Sequence, residues 1–86
     1  MIEYTITNFP DDTLFEKQCR ALETHIPGIK KTTRLEDVDG SVYQFYTVND
    51  AKIEVRNSYY LGGIDVLSEI DLSKYFKNAR TTLREV

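Results

Sequence analysis

The sequence predicts an α+β two-layer sandwich, with one long helix on a face of a mostly antiparallel sheet of four to five strands, in the order β-α-β-β-β-β-α. Three observations carry that prediction. Between Val42 and Ile70, Tyr46, Ile53, Val55, Tyr59, Leu61, Ile64, Val66 and Ile70 place apolar side chains on one face of a pleated sheet. Leu14, Phe15, Cys19, Leu22 and Ile26 recur at helical spacing and form one apolar stripe. Turn dipeptides, Asn49-Asp50 and Gly62-Gly63, punctuate the strands where residues tolerant of positive φ are needed.

The first strand is Ile2, Tyr4 and Ile6 alternating with Glu3, Thr5 and Thr7, and Pro10 ends it because proline has no N–H to donate to a ladder. Asp11, Asp12 and Thr13 supply helix-start chemistry. Thr13 and Glu16 have capping-box spacing, and the carboxylates suit the positive end of the helix dipole. Pro27-Gly28 stops the helix. Residues 29–39 carry Thr32 and Thr33 among many charges and read as an edge strand, where charge discourages unwanted pairing. A two-residue and a bulged three-residue turn at Asp39-Gly40 give opposite facings for Leu35, and both remain open. The first strand, the helix and the second strand form a unit that can place the first strand parallel to a neighbour.

Two-residue turns set the register of the central strands. Val48 then opposes Ala51, Tyr46 opposes Ile53 and Gln44 opposes Val55. Beyond Gly62-Gly63, Leu61 opposes Ile64, Tyr59 opposes Val66, Asn57 opposes Ser68, and Arg56 pairs with Glu69. Finally, Leu72, Tyr75, Phe76, Ala79 and Leu83 recur at helical spacing with Asp71 or Ser73 as a cap. This predicts a C-terminal helix from about residue 71 that frays after about residue 79, where Thr81-Thr82 are poor helix formers.

At 86 residues the chain fits one domain, 1–86, with a single core. Residues 1–70 carry 7 Lys/Arg against 12 Asp/Glu, or −5, and residues 71–86 carry 4 against 2, or +2. An acidic body opposes general nucleic-acid or anionic-membrane binding. One cysteine permits no intramolecular disulfide, the N-terminus lacks the pattern of a signal peptide, and no apolar run spans a bilayer, so a cytoplasmic protein is expected.

No catalytic residue, cofactor or metal ligand is expected, and the chain does not read as an enzyme. Cys19 and His25 lie six apart on one helix, about 600° of rotation, on different faces. Gly62-Gly63 lacks the following helix and the further glycines of a phosphate loop, and Asp37 with Asp39 lacks the oxygen spacing of a calcium loop. The segment Ser73-Lys74-Tyr75-Phe76-Lys77-Asn78-Ala79-Arg80 resembles the start of the second helix of double-stranded-RNA-binding domains. That resemblance implies phosphate contacts from Lys74 and Lys77, the only two lysines that match, in a chain carrying one strand more than those domains.

The second face of the sheet is the more suggestive feature. Tyr43, Phe45, Tyr60 and Leu67 share it with Lys52, Glu54, Arg56, Asp65 and Glu69. Tyrosines among mixed charges offer large contact area and a hydrogen-bonding tip at low entropic cost. The expectation is a small acidic protein-binding module, most concretely an immunity-type, antitoxin-type or phage-encoded inhibitor. Its contacts would be Tyr43, Phe45, Arg56, Tyr60, Asp65 and Glu69, with Glu36, Asp37 and Asp39 as an acidic rim. Its partner would be another protein, such as a basic nuclease or toxin. The alternatives are nucleic-acid binding through the basic C-terminal helix, and a small-ligand or enzymatic pocket between helix and sheet.

Overall fold

The computed structural model describes residues 1–60, 62–77 and 79–83. The chain forms β1 (Ile2–Thr7), α1 (Asp12–His25), β2 (Lys30–Glu36), β3 (Val42–Val48), β4 (Ala51–Ser58) and β5 (Gly63–Ser68). A 3-10 turn (Ser73–Tyr75) and β6 (Arg80–Leu83) follow. The strands make one six-stranded sheet in the order β2-β3-β4-β5-β1-β6, with every neighbouring pair antiparallel. This is an α+β fold with one long helix, and its sheet is slightly larger than expected.

The helix starts at Asp12, with Asp11 as its cap: the Leu14 N–H donates to Asp11 Oδ1 at 3.0 Å. Thr13 therefore sits inside the first turn, and Asp11 takes the capping role. Phe15, Cys19 and Leu22 are buried along one stripe, as the spacing requires. The β3–β4 hairpin has the expected register. Asn49 and Asp50 both adopt positive φ, 49° and 69°, which lets a two-residue turn follow the twist of its strands.

The β4–β5 pairing differs from the expected one. Val66 opposes Val55 rather than Tyr59, Asn57 opposes Ile64 rather than Ser68, and Arg56 opposes Asp65 rather than Glu69. The slip is four residues (59 − 55), an even number, so every side chain keeps its face of the pleat. Ile53, Val55, Ile64 and Val66 stay buried, whereas Tyr59 leaves the ladder for the turn. Side-chain bonds outside the sheet explain the slip. Asn57 Oδ1 accepts the Asp11 N–H and its amide donates to Asp12 Oδ1, each at 3.0 Å, while the Tyr59 N–H donates to Ser41 Oγ at 2.9 Å.

Two further expectations are corrected. β1 has no parallel neighbour: it pairs antiparallel with β5 and β6, and α1 carries the chain from it to β2 at the far edge. The C-terminal helix is replaced by the 3-10 turn and β6. Tyr75 N–H to Leu72 O and Phe76 N–H to Ser73 O are three-residue bonds, and Asp71 Oδ1 accepts the Ser73 N–H at 2.8 Å. The spacing that suggested a helix does mark burial, because Leu72 and Phe76 are buried and Tyr75 and Ala79 pack beside them. Beyond Ala79, β-branched Thr81 and Thr82 suit a strand, and pairing satisfies the outer edge of β1, which a short helix would leave open.

The C-terminal segment is anchored through Tyr4, which is fully buried in the core. Its hydroxyl accepts the Leu72 N–H at 2.7 Å and donates to Asp71 Oδ1 at 3.3 Å, and its ring stacks on Phe76 at 4.9 Å. Burial raises its pKa, so the hydroxyl stays protonated at neutral pH. Tyr4→Phe should lower stability by about 1–3 kcal/mol in chemical denaturation, because the Leu72 N–H loses its partner inside the core. A loss below about 0.5 kcal/mol would show that this N–H finds another acceptor.

Candidate protein-binding surfaces

All the described cover lies on one side of the sheet. Phe15, Cys19, Leu22 and Ile26 from the helix, and Leu72 and Phe76 from the C-terminal segment, join Tyr46, Ile53, Val55 and Val66 in a single core. The opposite face carries Leu35 and Lys30 from β2, Tyr43, Phe45 and Thr47 from β3, and Lys52, Glu54 and Arg56 from β4. Asp65, Leu67, Glu3, Thr5 and Arg80 continue it across β5, β1 and β6. No described element crosses this face.

Its extension to Leu35 depends on how the edge strand is held. Leu35 opposes Tyr43 on the uncovered face in the register set by the turn, and a bulge between Lys31 and Arg34 shifts the register of the start of β2. The buried Gln44 accepts from Arg34 Nε at 2.8 Å and donates to Thr33 O at 3.2 Å. Arg34 also meets Glu16 at 2.8 Å and lies over the Phe15 ring at 5.2 Å, which ties the bulged edge to the helix. The β2–β3 connection is a five-residue loop, with Glu36 opposite Val42 and the Asp37 N–H donating to Ser41 O. Its tip is the bulged three-residue turn Val38-Asp39-Gly40: the Gly40 N–H donates to Asp37 O at 3.1 Å and Gly40 takes a positive φ of 94°.

The structure divides the expected contact residues into three places. Tyr43, Phe45, Arg56 and Asp65 do share the uncovered face, all partly exposed. Tyr60 stands 88% exposed in the β4–β5 turn, at the end of the sheet that also holds Glu36, Asp37 and Asp39. Glu69 lies at the other end, where its carboxylate accepts the Lys52 N–H and its own N–H donates to Lys52 O. The slipped register puts Tyr60 in the turn and outside the face set, and Glu69 meets Lys52 one residue past the end of β5.

The face is close to neutral. Arg56 reaches Glu3 at 3.2 Å and Glu54 at 3.3 Å and keeps only 15% of its side chain exposed. Glu3, Glu54 and Asp65 stand against Lys30, Lys52, Arg56 and Arg80, three negative charges to four positive. A shallow depression of about 420 Å³ opens near the β2 edge, lined by Thr33, Leu35, Phe45, Thr47 and Lys52. Sequence reasoning left the facing of Leu35 open between two turns, and it missed Thr47 although alternation with Tyr43 and Phe45 already puts Thr47 on this face.

The remaining chemistry is placed as follows. Cys19 is buried, and burial raises its thiol pKa, so it packs as a small hydrophobe; His25 is exposed at the last turn of the helix. Among the described residues no group of three or more His, Cys, Asp or Glu is arranged to hold a metal ion. Among those residues no helix is long and apolar enough to cross a membrane. Lys74 belongs to the 3-10 turn, where it lies over the Tyr75 ring, and Arg80 to β6. The likeness to the second helix of double-stranded-RNA-binding domains therefore loses the helix that carried it. The chain matches no protein-family model, no curated protein and no solved structure.

Proposed function

We propose that this chain is a protein-binding module whose contact surface is the uncovered face of the sheet around Tyr43, Phe45 and Leu35. One observation carries the reading: the helix and the C-terminal segment cover the same side of a six-stranded sheet, and aromatic side chains stand on the other. Tyr43 and Phe45 give apolar contact area, and the Arg56 cluster gives hydrogen-bonding groups held in place by Glu3 and Glu54. A surface backed by a hydrogen-bonded sheet needs little ordering on binding, which favours occlusion of a partner's site. The most concrete form is an inhibitor of the immunity or antitoxin type, or one encoded by a phage.

The test is purification of the tagged chain from its native cells, with measurement of the affinity of any stoichiometric partner. Tyr43→Ala combined with Phe45→Ser should weaken that complex by about tenfold or more, as contact anchors do, while the circular dichroism spectrum stays native. A complex of unchanged affinity, or no stoichiometric partner at all, would overturn the reading.

A further inference from the structure

The loops at one end of the sheet form a second surface, distinct from the uncovered face. Residues 8–12 enter the helix there, 37–41 join β2 to β3, and 59–62 join β4 to β5. Of the large apolar side chains left exposed among the described residues, Phe9, Val38, Tyr59 and Tyr60 stand in these loops at 55%, 104%, 45% and 88%. The fifth, Leu35, is one residue short of the loop that follows β2. Single exposed apolar residues need no explanation, but their concentration at one end of a small domain does.

The same loops hold Asp11, Asp12, Asp37 and Asp39, with Glu36 beside them, and contain no Lys, Arg or His. Asp11, Asp37 and Asp39 use Oδ1 to fix their own loops, and Asp12 uses it to hold β4 and the turn that follows. Asp11 accepts from Leu14 N, Asp12 from Asn57 Nδ2 and Tyr59 Oη, Asp37 from Val38 N, and Asp39 from Ser41 N. Among the described residues the four Oδ2 atoms and the Glu36 carboxylate have no partner. Tyr59 binds the loops together. Its hydroxyl reaches Asp12 at 3.1 Å, its N–H reaches Ser41 Oγ, and its ring lies against Gly40. The carboxylates and the backbone of these loops are therefore held in place before any partner arrives.

We infer that this loop end docks a protein surface rich in lysine and arginine, with Val38 and Tyr60 as apolar anchors and the five carboxylates as the charge that selects it. The inference goes beyond the reading of the sheet face, whose mixed charges do not select a basic partner. Unpaired carboxylate oxygens in three loops that carry no Lys, Arg or His complement lysine and arginine directly, and such charge also speeds encounter. They repel nucleic-acid phosphates and anionic lipid. A second copy meeting this end symmetrically would set like charges against each other.

The experiment uses the full chain labelled with ¹⁵N, titrated with a short synthetic peptide of alternating arginine and leucine. The expected result is saturable shifts of the amides of Phe9, Val38, Asp39 and Tyr60. Val38→Ser with Tyr60→Ser, which keeps all five carboxylates, should weaken binding by about tenfold. Asp37→Asn with Asp39→Asn should weaken it further and flatten its salt dependence. Tyr43→Ala with Phe45→Ser should leave it unchanged, so failure of the face reading and failure of this one are separable.

Shifts spread over acidic residues throughout the chain would overturn the proposal. So would a Val38→Ser, Tyr60→Ser variant that binds as well as the parent, since the end would then be an unspecific acidic patch. Equal binding of a glutamate–leucine peptide or of a single-stranded oligonucleotide at these amides would overturn it too. Concentration-dependent shifts there without peptide, together with a dimer mass, would assign the end to a second copy and remove the basic partner.

Discussion

Asn57→Ala is expected to lower the stability of the chain by about 3 kcal/mol, read from the midpoint of urea unfolding at constant slope. Asn57 is fully buried, and its side chain is the link between β4 and the start of α1. Alanine removes the acceptor of the Asp11 N–H and the donor to Asp12 at once, and it leaves a void under the first turn of the helix. Each unsatisfied buried group costs about 1–3 kcal/mol, and Asp12 still keeps its bond from Tyr59, so the two losses do not add in full. Asn57→Asp separates the contributions. It keeps an acceptor for the Asp11 N–H but sets a carboxylate beside Asp12, so it should be as harmful as alanine near pH 7 and milder at low pH. Losses below about 1 kcal/mol for both variants would refute the role of Asn57 as the link that fixes the β4–β5 register.

Gly63→Ala is expected to cost about 2–3 kcal/mol, far more than its exposed turn-like sequence suggests. A Cβ at Gly63 would stand 2.3 Å from the Thr7 carbonyl oxygen, against backbone that rotation of a side chain cannot move. The neighbouring Gly62 is a different case. Its φ is 79° and its nearest obstacle lies at 3.7 Å, so Gly62→Ala is penalised only by backbone conformation, by about 1 kcal/mol. The two alanine variants measured side by side in thermal unfolding decide the matter. An equal cost would mean that Gly63 is a turn glycine like its neighbour, and that β5 does not pack tightly against the bulge between Thr5 and Thr7.

That pair of glycines shows where local reading stops. As a dipeptide, Gly62-Gly63 reads as a two-residue hairpin tip, and such a tip would carry Tyr59 into the core. The true turn is longer because Tyr59 is held outside the ladder by Ser41 and Asp12, which are distant in sequence. The apolar face survived the error because the slip was even. An odd slip would have buried Asp65, whereas an even one exchanges partners on the same face.

The candidate surfaces divide the same way. Tyr43, Phe45, Arg56 and Asp65 share a face because alternation alone puts them there, so they were legible from the pattern of Val42–Val48 and its neighbours. Phe9 and Val38 were not, since a lone apolar residue in a loop carries no period. Their proximity arises only when loops from three places in the chain meet at one end of the sheet. Val38 between Asp37 and Asp39 was the one available signal, an apolar side chain at a hairpin tip with nothing local to cover it.

The amino-acid pattern alone determined α1 and its buried stripe, the β3–β4 hairpin, the two faces of the central strands and the burial of Leu72 and Phe76. Each of these follows from periodicity or from backbone preferences within a few residues. Tertiary structure decided the register at the start of β2, the register of β5 and the conversion of the last residues into a strand. It also decided which side of the sheet is left bare. The physical reason is common to all four. Each is settled by a polar group that must find its partner far along the chain: Gln44 at the bulge, Asn57 at the helix start, Tyr4 at Leu72, and the outer edge of β1 at residues 80–83.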